Sequence, residues 1–388
     1  MKEIYLDNSA STKISEEALK KYNDVSLSLY GNPSSLHTMG FLAEKELRSA
    51  RETLLSSLSA KNSDVVFTAS GSEANNLAIL GRAFSKERYR NGAKIITTDG
   101  EHASVSATLS HLSALGFKIV SIPTKNGVLD FDVLASELDS SVILVTMMMV
   151  NNETGALYDT ARVSKLMKMK SPDAFLHVDA TQSYMKLKFT KQSIGADMIS
   201  VSSHKIKGPK GVGALVIDDR VKKAHGLAPI IFGGGQEGGL RSGTENVPGI
   251  AAFAEAIKSA NKNLDAIYEK TNALRSYLIE RLKENELSEI SATLPEVHAP
   301  HIINITLPKI KSETMLHYLS SLGIFVSSGS ACSSNSKGVS SALLAYGRSE
   351  AEADSSLRIS FGTENTKDDV DALCDALKSG LAKLARIK

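Results

Sequence analysis

Seven short apolar runs constrain this chain more than any other feature: "VVFT" from Val65, "KIITT" from Lys94, "FKIVSI" from Phe117, "VILVTMMMV" from Val142, "AFLHV" from Ala174, "DMISV" from Asp197 and "GALVI" from Gly213. They show little polar alternation, and most are separated by enough residues for a helix. That pattern predicts strands buried on both faces of a largely parallel sheet. The last two runs are joined by a shorter glycine-rich stretch, which leaves room for an antiparallel neighbour. From about Ala251 the texture changes to long helical patterns with two further strand candidates, "HIINITL" from His301 and "IFVSS" from Ile324. The expectation is an α/β protein with a large domain over 15–255 and a smaller α+β domain built from 1–14 and 256–388.

A chain of 388 residues with 42% hydrophobic composition can bury a core of that size. Its 45 basic and 43 acidic residues leave a net charge of +2, which gives no electrostatic reason to expect nucleic acid or an anionic membrane as partner. The longest strongly apolar run is too short to span a bilayer, and "MKEIYLDNSASTK" lacks a signal core. A cytoplasmic protein with small, soluble partners is expected.

In an open parallel sheet, ligands bind beyond the carboxyl ends of the strands, so the residues after each run carry the chemistry. "VVFT" is followed by "ASGSEANN", "KIITT" by "DGEHAS", "MMMV" by "NNETG", "AFLHV" by "DATQ" and "DMISV" by "SSHKIKGPKG". Ser70, Gly71 and Ser72 turn a strand into a helix and offer backbone N–H groups and hydroxyls to a phosphate, although serine capping alone would also explain them. "GPKGVG" leads into a strand and is no P-loop. Asp179 ends an apolar strand, where a carboxylate is costly without a partner or solvent. Lys205 follows another strand, where desolvation would leave more of its amine neutral and nucleophilic. Taken singly, each also has an ordinary reading: a cap, a solvent-facing acid, a solvated lysine. Together, a phosphate seat, an acid for a ring nitrogen and an amine for a carbonyl match the parts of pyridoxal phosphate. His102 could stack on such a ring and exchange protons, and Asn152 and Gln182 could bond its substituents. Structural, turn or surface roles remain open for all three.

The two cysteines contrast. Cys374 shares a helical face with Val370, Leu373, Leu377, Leu381 and Leu384, so it is expected in the core. Cys332 sits in "SSGSACSSNS", among serines and a glycine where little can pack, and is expected to be a thiol on a mobile arm within a loop at about 325–340.

"YLDNSAST", "YGNPSSLH", "SGSEANNLAI", "EHASV", "NNETG", "HVDATQS", "SSHKIKGPKGVGAL", "GGGQEGGLRSGTENVPG", "SSGSACSS" and "DSSLRISFG", in that order, resemble cysteine desulfurases of the NifS/IscS type, in the group with the long, mobile cysteine loop. The resemblance implies a fold type I pyridoxal-phosphate transferase. It further implies that Lys205 carries the cofactor and moves the substrate's α-proton, that Asp179 pairs with the ring nitrogen, that Gln182 meets the ring oxygen and that His102 lies on the ring face. Phosphate would be held by the turn at Gly71 with Ser72, Ser202 and His204, and by Thr244 from the other subunit of a homodimer. Asn32, Asn152 and Arg358 would receive the carboxylate of L-cysteine. Cys332 would take the sulfur as a persulfide, leave alanine and pass the sulfur to an acceptor protein, an iron–sulfur scaffold among the candidates. No metal site is implied.

Phe232, where many relatives carry histidine, Val150, and the loss of one basic residue from "QEGGLRSG" are departures at the border of that site. Three rival readings remain: a selenocysteine lyase, a transaminase, or a non-catalytic sulfur-relay scaffold that has kept the fold.

Overall fold

The computed structural model describes residues 3–86, 92–328 and 339–384. Thirteen strands run through these residues: β1 (Ile4–Tyr5), β2 (Ser63–Thr68), β3 (Lys94–Thr98), β4 (Lys118–Ile122), β5 (Val142–Met148), β6 (Phe175–Asp179), β7 (Met198–Ser202), β8 (Gly213–Asp218), β9 (Ser291–Thr293), β10 (Ile302–Thr306), β11 (Ile324–Phe325), β12 (Ser327–Ser328) and β13 (Ser356–Ser360). All seven expected runs form one sheet, in the order β2-β8-β7-β6-β5-β3-β4.

Residues of alternate parity enter different cores. Val65, Phe67, Val145, Met147, Leu176 and Val178 face one apolar cluster, shared with the helix Val247–Lys262. Val66, Leu144, Phe175, Met198 and Leu215 face another, shared with the helices Gly71–Ser85 and Ala103–Ala114. Because both faces are covered, these strands read as unbroken apolar runs. β8 pairs antiparallel with both β7 and β2, while the remaining neighbours are parallel. The glycine-rich segment 203–212 is too short for the crossover that a parallel β8 would need. It follows that β2 to β7 all point the same way and deliver their carboxyl ends to one edge.

A second sheet, ordered β12-β13-β10-β9, packs its apolar side against the helices Leu264–Arg281 and Lys367–Lys383. Cys374 is fully buried in that core, as its spacing predicts. β1 pairs with β11 in a separate two-stranded ribbon. Among the described residues, no helix is long and apolar enough to cross a membrane.

Candidate active site

Asp179 is the last residue of β6, with Met148 of β5 and Ser200 of β7 beside it in register. Its carboxylate is only 6% exposed, and burial of a bare charge would be costly. Two donors offset this: Asn75 Nδ2 donates to Oδ2 at 2.7 Å, and the Thr181 backbone N–H donates to Oδ1 at 2.9 Å. Two residues earlier on the same strand, His177 is buried between the hydroxyls of Thr146 and Ser200, each at 2.8 Å, and desolvation holds its ring well below the usual histidine range.

Lys205 closes a single turn, Ser203–Lys205, that follows β7 directly. Its Nζ donates to the backbone carbonyls of Ser9 at 2.6 Å and Ala10 at 2.8 Å, so the amino-terminal segment holds the amine in place. Both Asp179 and Lys205 line one cavity of about 240 Å³ at the strand-end edge of the large sheet. Gly71, Ser72, His102, Asn152, Gln182, Ser202, His204 and Arg358 line it too, so the topology brings together ten of the residues singled out in the sequence.

The turn at Ser70–Ser72 opens the helix Gly71–Ser85, with the Ser70 hydroxyl accepting from the Glu73 N–H at 3.1 Å. A Cβ added at Gly71 would lie 3.1 Å from Thr181 Oγ1 and 3.2 Å from Ser202 Cβ, so a side chain there would crowd both neighbours. Ser202 Oγ faces this turn. It is buried and, among the described residues, has no hydrogen-bond partner, and a sealed hydroxyl of that kind is costly unless a bound group completes it. His204 Nδ1 lies 3.2 Å from Ser11 Oγ, and burial, together with the nearby amines of Lys205, Lys186 and Lys210, pushes its ring down to about 4.

His102 caps the helix Ala103–Ala114: its Nδ1 accepts from the Ser104 N–H at 3.1 Å, which places the proton of the neutral ring on Nε2. Arg358, on β13, donates through Nη1 to the Asn152 carbonyl at 3.0 Å and through Nη2 to Asp7 Oδ1 at 2.9 Å, while its Nε is buried without a partner. These two bonds fix the guanidinium, and Arg358 lines the cavity. Gln182 donates from Nε2 to the Ser9 carbonyl at 2.9 Å. The paired asparagines divide the work: Asn151 is buried, holding Gly100 and the turn at Glu153 and Thr154, while Asn152 lines the cavity.

Asn32 and Thr244 are exposed and do not line the cavity of their own chain. Large apolar side chains stand exposed close to both, among them Tyr30, Leu36 and Phe41 near Asn32 and Phe232 before the glycine-rich stretch. Cys332 lies outside the described residues.

Four contributions went unread in the sequence: Asn75 on Asp179, Asp7 on Arg358, the Ser9 and Ala10 carbonyls on Lys205, and Lys186, which donates to Gln182 Oε1 at 3.0 Å. Asn75 lies one helical turn inside "SGSEANN", and Asp7, Ser9 and Ala10 lie in "YLDNSAST", so these stood within quoted motifs without a role of their own, while Lys186 left no signal.

Comparison with known proteins agrees with this geometry. The family model described as Aminotransferase class-V matches residues 4–373. A protein of Lactobacillus delbrueckii subsp. bulgaricus named NifS/IcsS protein homolog is 38% identical, over 95% of this chain and 94% of its own length. Cysteine desulfurase IscS of Dictyoglomus turgidum is 35% identical, over 100% of this chain and 96% of its own. A solved structure titled NIFS-like protein superposes with a TM-score of 0.90 at 33% identity, covering 99% of this chain and 100% of that one.

Proposed function

The chain belongs to the class-V aminotransferase family, and from that premise we infer that it is a cysteine desulfurase, a pyridoxal-phosphate-dependent enzyme that removes sulfur from L-cysteine. The observation that carries this reading is the single cavity shared by Lys205, Asp179, the Gly71 turn and Arg358. The unpartnered Ser202 hydroxyl, the close approach at Gly71 and the twice-bonded Asp179 fit a phosphorylated pyridine.

Gly71, Ser72, Ser202 and His204 would hold the phosphate, with Thr244 reaching in from the partner of a homodimer; Asp179 would keep the ring nitrogen protonated. Gln182 would donate to the ring oxygen and His102 would cover the ring face. Bound pyridoxal phosphate supplies an electron sink at the substrate's α-carbon. Arg358, Asn152 and Asn32 would seat the substrate carboxylate, which fixes the α-hydrogen within reach of Lys205, the base that removes it. The Cys332 thiolate would then attack the substrate sulfur, forming an S–S bond as the C–S bond breaks. The electron pair of the broken bond stays with carbon, which takes up a proton, and alanine leaves. Asn32 and Thr244 support the dimer, because both stand among exposed apolar side chains and away from their own cavity. An acceptor protein, with iron–sulfur scaffolds as the candidate class, would take the persulfide, and we place the reaction in the cytosol.

The division into a large unit of 15–255 and a small unit of 1–14 with 256–388 remains part of this proposal. The helix Val247–Lys262 crosses residue 255 unbroken and keeps Ile257 in the large core, which supports a boundary nearer its end.

The deciding experiment incubates the holoenzyme with L-cysteine and a reductant and measures alanine and sulfide. Equal amounts of both, lost in Cys332→Ser while the cofactor absorbance stays, are expected. Steady amino transfer to a keto acid without sulfide would overturn the assignment.

A further inference from the structure

Behind Lys205, away from the strand-end cavity, lies a second cavity of about 360 Å³. Lys205 lines both, and Lys186 lines only the second. Lys186 is an anomaly. Among the described residues no carboxylate pairs with it, and the charged groups that face it are Lys205 and Arg358. The remaining titratable neighbours, the rings of His204 and His301, are both held neutral by burial. Burial and like charges both disfavour the charged form of a lysine in such company.

Its one hydrogen bond indicates a task. Lys186 Nζ donates to Gln182 Oε1 at 3.0 Å, four residues back along the chain. That bond, with the Ser9 carbonyl accepting from Nε2 at 2.9 Å, removes the ambiguity of the Gln182 amide. The oxygen must face Lys186, and the NH2 must face Ser9 and the active-site cavity, so Gln182 presents a donor there and no acceptor. The Ser9 carbonyl also receives Lys205 at 2.6 Å, so Lys186, Gln182, Ser9 and Lys205 form one chain of contacts.

We propose that Lys186 is a positioning residue that acts through Gln182: it locks the amide so that its NH2 meets the ring oxygen of the cofactor, and it sets a cation behind Lys205. This rests on pyridoxal phosphate occupying the active-site cavity. Burial and the neighbouring cations push the Lys186 amine down to about 7, so the charge it sets behind Lys205 is drawn down as pH rises through neutrality.

The test follows the absorption band of the bound cofactor against pH in the holoenzyme, alongside kcat and KM. In Lys186→Met the midpoint of that titration is expected to rise by about one unit, because a repelling neighbour of the proton on Lys205 is gone, and kcat to fall about tenfold with KM unchanged. Lys186→Arg, which keeps donor and charge, should restore both. In a Gln182→Leu background, adding Lys186→Met should change kcat by less than about twofold above the cofactor midpoint of both variants, since that effect runs through the amide, whereas the midpoint itself should still rise. A Lys186→Met midpoint that superposes on the parent, or losses that multiply in the double variant, would overturn the proposal. Should Lys186→Met fail to fold, Lys186→Gln, a neutral donor, reads the charge alone by the same midpoint. Absence of any cofactor band would sink the cavity assignment as well, whereas a band with an unmoved midpoint sinks only the role of Lys186.

Discussion

Asn75 Nδ2 donates to Asp179 Oδ2 at 2.7 Å, from the first turns of one helix to the end of a strand 104 residues away. A hydrogen bond to a charged group contributes about 1.5–3 kcal/mol, so Asn75→Leu should cost about 10- to 100-fold in kcat by loosening the hold on the Asp179 carboxylate. Steady-state kinetics check this, and unchanged kcat would show that the Thr181 N–H alone suffices.

Ser202→Ala should separate two effects. Because Ser202 Oγ has no partner in the free chain, its loss should leave the melting temperature of the cofactor-free protein unchanged or slightly raised. Affinity for pyridoxal phosphate should fall about tenfold through the lost charge-assisted bond. Calorimetric titration and thermal melts read the two independently.

The two thiols should respond differently to an alkylating reagent at neutral pH. Cys374 is fully buried and desolvation pushes its thiol up to about 11, so it should stay unmodified in the native protein. Mass spectrometry should find one adduct, on Cys332, with desulfuration lost in proportion. Cys374→Ala should keep turnover while costing about 1 kcal/mol of stability.

Glu101 should make the protein less stable at alkaline pH. Its Oε1 accepts from Thr98 Oγ1 at 2.6 Å and from the Met148 N–H at 3.0 Å, and Oε2 is sealed without a partner. Burial pushes this carboxyl up to about 8, so the folded state holds a proton that the unfolded state releases above its ordinary value near 4.5. The stability this provides is complete below about 4.5 and is lost as pH rises towards 8. Glu101→Gln, which keeps both acceptor contacts, should show a smaller drop in melting temperature between pH 6 and 9 than the parent; equal drops would rule Glu101 out as the source.

The sheet was legible because burial on two faces leaves an unbroken apolar run, and each of the seven runs became a strand. β1, β9 and β13 were not read as strands. β1 and β9 have two and three residues, too few to show a period, and β13 carries Arg358 in its middle. Most residues lining the cavity were legible because open sheets place chemistry after their strands, whereas Arg358, inside β13 of the other sheet, came only from the family resemblance. Their supports were not: Asp7 meets Arg358 across 351 residues, and nothing in either local sequence anticipates it. Lys186 went unread, since the company of an amine among cations is a property of the assembled fold.

The amino-terminal segment reaches from the β1–β11 ribbon, through Asp7 on Arg358, to the Ser9 and Ala10 carbonyls that grip Lys205. It works as a tether that ties the position of the Lys205 amine to that of the ribbon. With Lys205 as the proposed base, a loosened anchor at Ile4 would misaim it, and the accuracy of the chemistry would then depend in part on how firmly a two-residue strand is seated.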